Sequence, residues 1–402
     1  MPRNEIIMGI VLNQSLKNTI ITYLGFGIGA INTLYLYPFF LGTVFYALTN
    51  YILSWANIIM PLLAFGMQNT LVKFYTQYKT EEERSKFLSF TVLIPLLLCI
   101  PLALIGLFFF EPIALYLSKE NPVVKDYLWL IPFIGLSMAY FEIFYAWARV
   151  HMHSVFGNFI KEVGLRLFSL FALIGVYYKW ITVAEFIYVT ALIYFLAFIV
   201  TMFYAFGIKK PVFQFSIPQN VNDVLVYTFF IILSGSVAVM LLDIDKIMLN
   251  QYIKIESIAY YSVATYIASV IAVPSRAMHQ ITYPITAKLM HEDKHDALND
   301  LYKKTSINLQ VVGGFVMLCI FVNINQLYVM VPKEYSGGIL VVFLIGISKY
   351  FDLILGNNNA IIFNSKYYRM VLFLGLLLVF LTVGLNIFFI PRYAITGTAI
   401  AT

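Results

Sequence analysis

Runs of about 20 consecutive apolar residues recur along this chain, and a run of that length is what a helix needs to cross the hydrocarbon of a bilayer. By that measure the sequence predicts spanning helices near 18–40, 46–68, 88–110, 127–148, 157–178, 182–206, 222–243, 257–279, 306–328, 338–360 and 369–390. Backbone groups find no water in lipid, so these segments must satisfy their hydrogen bonds internally as helices. The expected fold class is an all-α polytopic membrane protein. Charge content agrees: only 11% of the 402 residues are charged, against roughly 25% in a soluble domain. Aromatic residues reach 17%, as expected where rings sit at headgroup level. Cys99 and Cys319 both fall inside apolar runs, which points to buried free thiols rather than a disulfide.

The eleven runs alternate sides, so the basic residues can be sorted into two sets. With the N-terminus inside, Lys119, Lys125, Lys179, Lys246, Lys254, Lys333 and Arg392 fall on the far side and Lys349 lies within a helix. The rest of the 26 Lys and Arg, from Arg3 to Lys366 and Arg369, collect on the cytoplasmic side. Short cytoplasmic loops carry such an excess, so the expected orientation has a cytoplasmic N-terminus, in the plasma (inner) membrane.

An internal repeat refines the architecture. The segment Phe45 to Ile58 aligns with Tyr260 to Val273, and Tyr46/Tyr261, Tyr51/Tyr266, Ile52/Ile267 and Ser54/Ser269 match. The same offset brings the charged loops near Glu81 and Asp296 together and superposes the helices that follow. Six spans return a chain to its starting side, so the halves are expected to be parallel repeats. The sequence therefore predicts two parallel six-helix lobes around a central cleft, 1–210 and 211–402. The counterpart of helix 182–206 should begin near 397, so the second lobe is expected to be truncated, ending within its twelfth helix.

Three blocks carry a family resemblance. Leu241 to Ile253 (LLDIDKIMLNQYI) followed by Glu256 to Ala264 (ESIAYYSVA) has an Asp245-Lys246 pair before a "VGxYSVA"-like segment. Asn250 and Ala259 stand there where the pattern often has Gly. Ile390 to Thr402 (IPRYAITGTAIAT) is similar to "P-x-x-G-I-x-G-A-A-x-A-T", with Ala394 and Thr398 departing from it. Gly66 to Phe74 (GMQNTLVKF) matches a "G…R/KF" ending after helix two. In these blocks the chain resembles the oligosaccharide (O-antigen/polysaccharide) flippases of the multidrug/oligosaccharidyl-lipid/polysaccharide exporter superfamily. The resemblance implies a transporter rather than an enzyme, without a cofactor. Its expected partners are a polyprenyl-pyrophosphate-linked oligosaccharide, membrane lipids and polysaccharide assembly proteins, with no nucleic acid.

Ionisable residues inside spans cost roughly 2.5–3.5 kcal/mol each on insertion scales, so each needs a reason. Lys349 sits near mid-depth of its helix with Asp352 at i+3, either as a self-neutralising pair or as a cavity cation awaiting substrate. Arg166 either snorkels to the interface or faces the lumen, where a guanidinium can hold two phosphate oxygens. Arg149 and Arg276 end helices at the cytoplasmic rim, where they set topology or bind. Glu142 could pair with a cavity arginine or couple transport to an ion; Asp245, Lys246 and Asp352 complete the set of ion-coupling or structural pairs. Asp243-Ile-Asp245 has the look of a glycosyltransferase metal motif but lies at a helix end with no nucleotide-binding domain. His151-Met-His153 lacks further metal ligands at suitable spacing, and Met290 to Asp300 reads as a solvated charged face. Gly25, Gly27 and Gly29 allow bending or close helix contact.

Two other classes remain in view. A membrane enzyme, such as a polysaccharide polymerase, generally needs a large extramembrane loop or a concentrated acid/base set, and neither is visible. A multidrug exporter would share the fold and change the cargo.

Overall fold

The chain's structure, a computed structural model, describes residues 2–212, 217, 218, 220–365 and 368–402. Lys366 of the orientation argument lies outside the described residues, and so do the side chains of Arg3 and Arg369. Helix accounts for 88% of the structure and no strand occurs among the described residues. The principal helices are α1 (Pro2–Ile31), α2 (Gly42–Leu63), α3 (Met67–Phe74), α4 (Glu81–Phe108), α5 (Leu130–Val150), α6 (Val155–Phe159), α7 (Leu165–Tyr177) and α8 (Val183–Ile208). They continue with α9 (Val221–Tyr252), α10 (Glu256–Ser269), α11 (Val273–His291), α12 (His295–Val322), α13 (Ile339–Ile354), α14 (Asn358–Asn364) and α15 (Tyr368–Ala401).

Among the described residues, eight helices are long and apolar enough to cross a membrane, or ten if each of two bent pairs is one span. One bent pair joins α2 to the segment Met67–Gln77 at 44°; the other is α9, which turns by 48° between Val237 and Val239. Of the eleven expected spans, 157–178 is the one not among these ten. That stretch is helical from Val155 to Tyr177, but a π-turn at Ile160–Gly164 divides it. Lys161, Glu162 and Arg166 crowd this divided segment, so it lacks the apolarity of the others. Several ends also move outward: α4 begins at Glu81 and α12 at His295. Polar first turns explain this, because a capping box between Thr80 and Glu83 starts α4 ahead of its apolar stretch.

Two compact units divide the chain: Met1–Asn32 with Leu48–Gln251, and Thr33–Ala47 with Tyr252–Thr402. In the first unit the core gathers Met67, Leu71, Phe74, Phe87, Phe90, Ile143, Phe144 and Trp147. Phe206 meets Phe144 edge-on at 5.3 Å and Trp147 at 5.8 Å, the geometry the ring quadrupoles favour. The second unit packs Ile267 and Ile271 with Leu309, Val342, Ile345 and Leu353. Gly346 lets two of its helices close up, since a Cβ there would lie 2.8 Å from the Phe321 ring. Large apolar side chains cover the outside, Phe229, Phe315 and Phe380 among them. A soluble surface rarely shows so much contiguous apolar area; lipid-facing helices require it.

Two local features matter below. The chain between α8 and α9 is pinned to the first unit: Lys209 pairs with Glu81, Ser89 donates to the Val212 carbonyl, and Tyr78 donates to Asn220 Oδ1 at 2.7 Å. Burial pushes the Tyr78 hydroxyl up to about 12, so it stays protonated and remains the donor. In α15 the helix breaks at Ala394, with φ 49° and ψ −131°, and resumes through Ile395 to Ala401. Only glycine adopts that backbone freely, and Ala394 is where the family pattern places one.

Candidate functional site

The first unit concentrates charge at the π-turn. A π-turn inserts a residue into the helix and changes the direction in which the following side chains leave it, which is why such turns gather at functional sites. Here Lys161 reaches α5, where its Nζ lies 2.5 Å from Glu142 Oε1. Arg166, one turn on, donates to Glu162 Oε2 at 3.0 Å and to the Glu162 carbonyl at 2.7 Å. Glu142 and Glu162 are only 14% and 21% exposed, so each carboxylate depends on its cation. α1 lies against this turn. A Cβ at Gly25 would strike the Glu162 carbonyl and come within 2.6 Å of Arg166 Nη1, and Asn32 Nδ2 donates to the Arg166 carbonyl at 2.8 Å. Arg149 lies over the Tyr145 ring at 4.8 Å, and its buried Nε has no hydrogen-bond partner.

Glu142 thus has a basic partner that the sequence reading did not assign to it, since a residue 19 positions away is not a helical neighbour.

A second polar seam joins α2 to α9. The buried Asp243 carboxylate accepts from Ser54 Oγ at 2.8 Å, Asn57 Nδ2 at 3.1 Å and Lys246 Nζ at 3.2 Å. Lys246 pairs with Asp243, three residues back on the same helical face. Asp245 is buried in its own right. The partners of Asp243 are hydrogen-bond donors rather than further metal ligands, which removes the metal-motif resemblance of Asp243-Ile-Asp245.

In the second unit Arg276 is exposed in the first turn of α11 and Lys349 is half-buried on α13. Among the described residues Lys349 and Asp352 form no ion pair, so the self-neutralising alternative is not what the structure has. A neutral polar centre lies elsewhere in this unit: fully buried Asn357 donates to Thr286 Oγ1 at 2.8 Å and accepts from Thr305 Oγ1 at 3.3 Å. His151 is held by Tyr75 and the Trp147 carbonyl, and no group of three or more metal-ligating side chains occurs among the described residues.

A many-helix transmembrane body with paired charges in its apolar interior suits the carriage of a polar group through lipid. A family profile described as polysaccharide biosynthesis protein matches residues 12–290. The chain belongs to that family. This agrees with the resemblance carried by the Leu241 to Ala264 and Gly66 to Phe74 blocks. No curated protein sequence matches the chain. Solved structures share the fold of this polysaccharide biosynthesis protein at low identity. The lipid II flippase MurJ, in an inward closed conformation, superposes with a TM-score of 0.73 at 15% identity, covering 97% of this chain and 84% of that one. An inward-facing MATE multidrug resistance transporter of the MOP superfamily gives 0.62 at 13%, covering 98% and 93%. A MOP superfamily transporter from Pyrococcus furiosus gives 0.62 at 13%, covering 96% and 90%. The named neighbours are flippases and transporters, and the polysaccharide biosynthesis protein described here is a multi-pass helical membrane protein of their fold.

Proposed function

We propose that the protein is a lipid-linked oligosaccharide flippase, moving polyprenyl-pyrophosphate-linked sugar units across the plasma membrane for surface polysaccharide assembly. The observation that carries the reading is the family profile over residues 12–290. The charge pattern supports it. A pyrophosphate entering low dielectric needs several cations, and Arg149, Arg166, Arg276 and Lys349 are the side chains proposed to receive it. Glu162 holds Arg166 and Glu142 holds Lys161. Glu162 meets the guanidinium through one carboxylate oxygen, whereas a phosphate offers it two oxygens and more charge, so it can displace the carboxylate. The lipid tail stays in hydrocarbon throughout, and the protein solvates only the head group. The uneven division of Lys and Arg between the two sides supports a cytoplasmic N-terminus.

The MATE likeness favours a second reading, an exporter of soluble drugs with the same fold. Proteoliposomes decide between them. Reconstituted protein should speed the crossing of a fluorescent polyprenyl-pyrophosphate-linked oligosaccharide, read by access of a membrane-impermeant quencher. Arg166→Ala and Lys349→Ala should each slow it at least tenfold at unchanged abundance, while Arg166→Lys and Lys349→Arg keep part of the rate. Efflux of a cationic dye without lipid crossing would establish the second reading instead. Wild-type crossing by both Ala variants would remove these two residues from the cargo site.

A further inference from the structure

We propose that Lys161 is a further cargo-binding cation, and that Glu142 and Glu162 are resident counter-anions which the two phosphates of the cargo displace; this rests on the flippase reading. Three cations and two carboxylates share one wall of the first unit. On α5, the most enclosed of the eight single spans, Glu142, Tyr145 and Arg149 form a half-exposed stripe at i, i+3 and i+7. A stripe facing lipid would be apolar, as it is at Phe229 and Phe315. Ionisable side chains at membrane depth face water or the protein interior instead. Across from the stripe, the π-turn and the first residues of α7 supply Lys161, Glu162 and Arg166. Gly157 brings the two segments together, since a Cβ there would lie 2.1 Å from the Tyr145 ring. Tyr145 stands within the field of Arg149, Glu142, Lys161 and Glu162.

Exposure decides what this wall receives. The Lys161 side chain is 46% exposed and its partner Glu142 14%; Arg166 is 30% exposed and Glu162 21%. In both pairs the cation is the more open member, so an incoming group meets positive charge first. Each pair is joined through one carboxylate oxygen, Glu142 Oε1 on Lys161 and Glu162 Oε2 on Arg166, a contact that a phosphate oxygen can take over. Arg149 faces a ring rather than a carboxylate, lying over Tyr145 at 4.8 Å. One positive charge therefore stands in excess in the group, and it draws an anion in. A pyrophosphate esterified at both ends carries one negative charge on each phosphate, which matches the two exchangeable cations. Glu142 and Glu162 oppose binding, because each is left unpaired when its cation turns to phosphate. That opposition fixes the sign of the test.

The test measures binding by the purified full chain in nanodiscs, with undecaprenyl pyrophosphate and inorganic pyrophosphate as probes. Glu142→Gln and Glu162→Gln should each bind the lipid at least about threefold more tightly than wild type, since each removes a competitor. Glu142→Gln/Lys161→Met, which leaves neither charge unpaired, should bind it at least about tenfold more weakly than Glu142→Gln. Glu111→Gln, which breaks the exposed pair with Lys125 elsewhere in the unit, should match wild type. Misfolding cannot tighten binding, so the single variants decide the matter even where the double one is unstable. Failure of either Gln variant to tighten binding overturns the proposal, and so does a folded double variant that binds as Glu142→Gln does. In both cases Glu142–Lys161 is a packing pair and the flippase reading stands. Wild type that binds no lipid sinks the flippase reading, and the assignment of Lys161 falls with it. Inorganic pyrophosphate bound as tightly as the lipid does the same, by making a soluble anion the ligand.

Discussion

The Asp243–Lys246 pair can be weighed by removing its members separately and together. The side chains are 11% and 21% exposed, so solvent screening is slight. Asp243→Ala leaves the Lys246 ammonium buried without its carboxylate, together with the Ser54 hydroxyl and the Asn57 amide. Breaking a buried pair in this way costs about 3–5 kcal/mol. Lys246→Ala is milder, about 1–3 kcal/mol, because Asp243 keeps the two neutral donors. The double substitution removes both charges at once, so its cost should fall short of the sum by about 1–3 kcal/mol. At roughly 1 °C per kcal/mol for a chain of 402 residues, Asp243→Ala should lower the fluorescence-detected unfolding midpoint in detergent by about 3 °C or more. Midpoints of the double variant that equal the sum of the singles, or a drop of under about 1 °C for Asp243→Ala, would refute the pairing.

Ala394→Gly should stabilise the protein. Relief of backbone strain of about 1–3 kcal/mol outweighs the extra unfolded-state freedom of about 0.4–1 kcal/mol, and a lowered midpoint would contradict the break described in α15. Gly25→Ala should cost about 1–3 kcal/mol by overpacking against Glu162 and Arg166. Gly27→Ala is its control, with nothing within 4 Å of the added methyl, so equal midpoint losses for the two would disprove the close approach of α1 to the π-turn.

Helix placement was legible in the sequence because lipid enforces it: long apolar runs had few alternatives to spanning helices. The segment 157–178 differs from the other spans in a way its average hydropathy hides: it carries Lys161, Glu162 and Arg166, whose partners lie on α5 and within the same turn. The seam partners of Asp243 were not legible at all, since Ser54 and Asn57 stand 189 and 186 residues away. The Lys246–Asp243 contact is the part the sequence carries, since i,i+3 spacing puts the two on one helical face. Ala394 was visible as a departure from the family pattern. Its consequence was not, because a positive φ leaves no mark in composition.

The Glu142–Lys161 bridge bears on how the chain is made. A segment leaving the ribosome with Lys161, Glu162 and Arg166 faces roughly 2.5–3.5 kcal/mol per unpaired charge on entering lipid. Arg166 and Glu162 are four residues apart on that segment and can neutralise each other as soon as the helix forms. Lys161 cannot, for its carboxylate is on α5, already synthesised and separated from it only by the turn at His151–Ser154. Only with the two helices side by side as a hairpin is the lysine's charge neutralised in lipid.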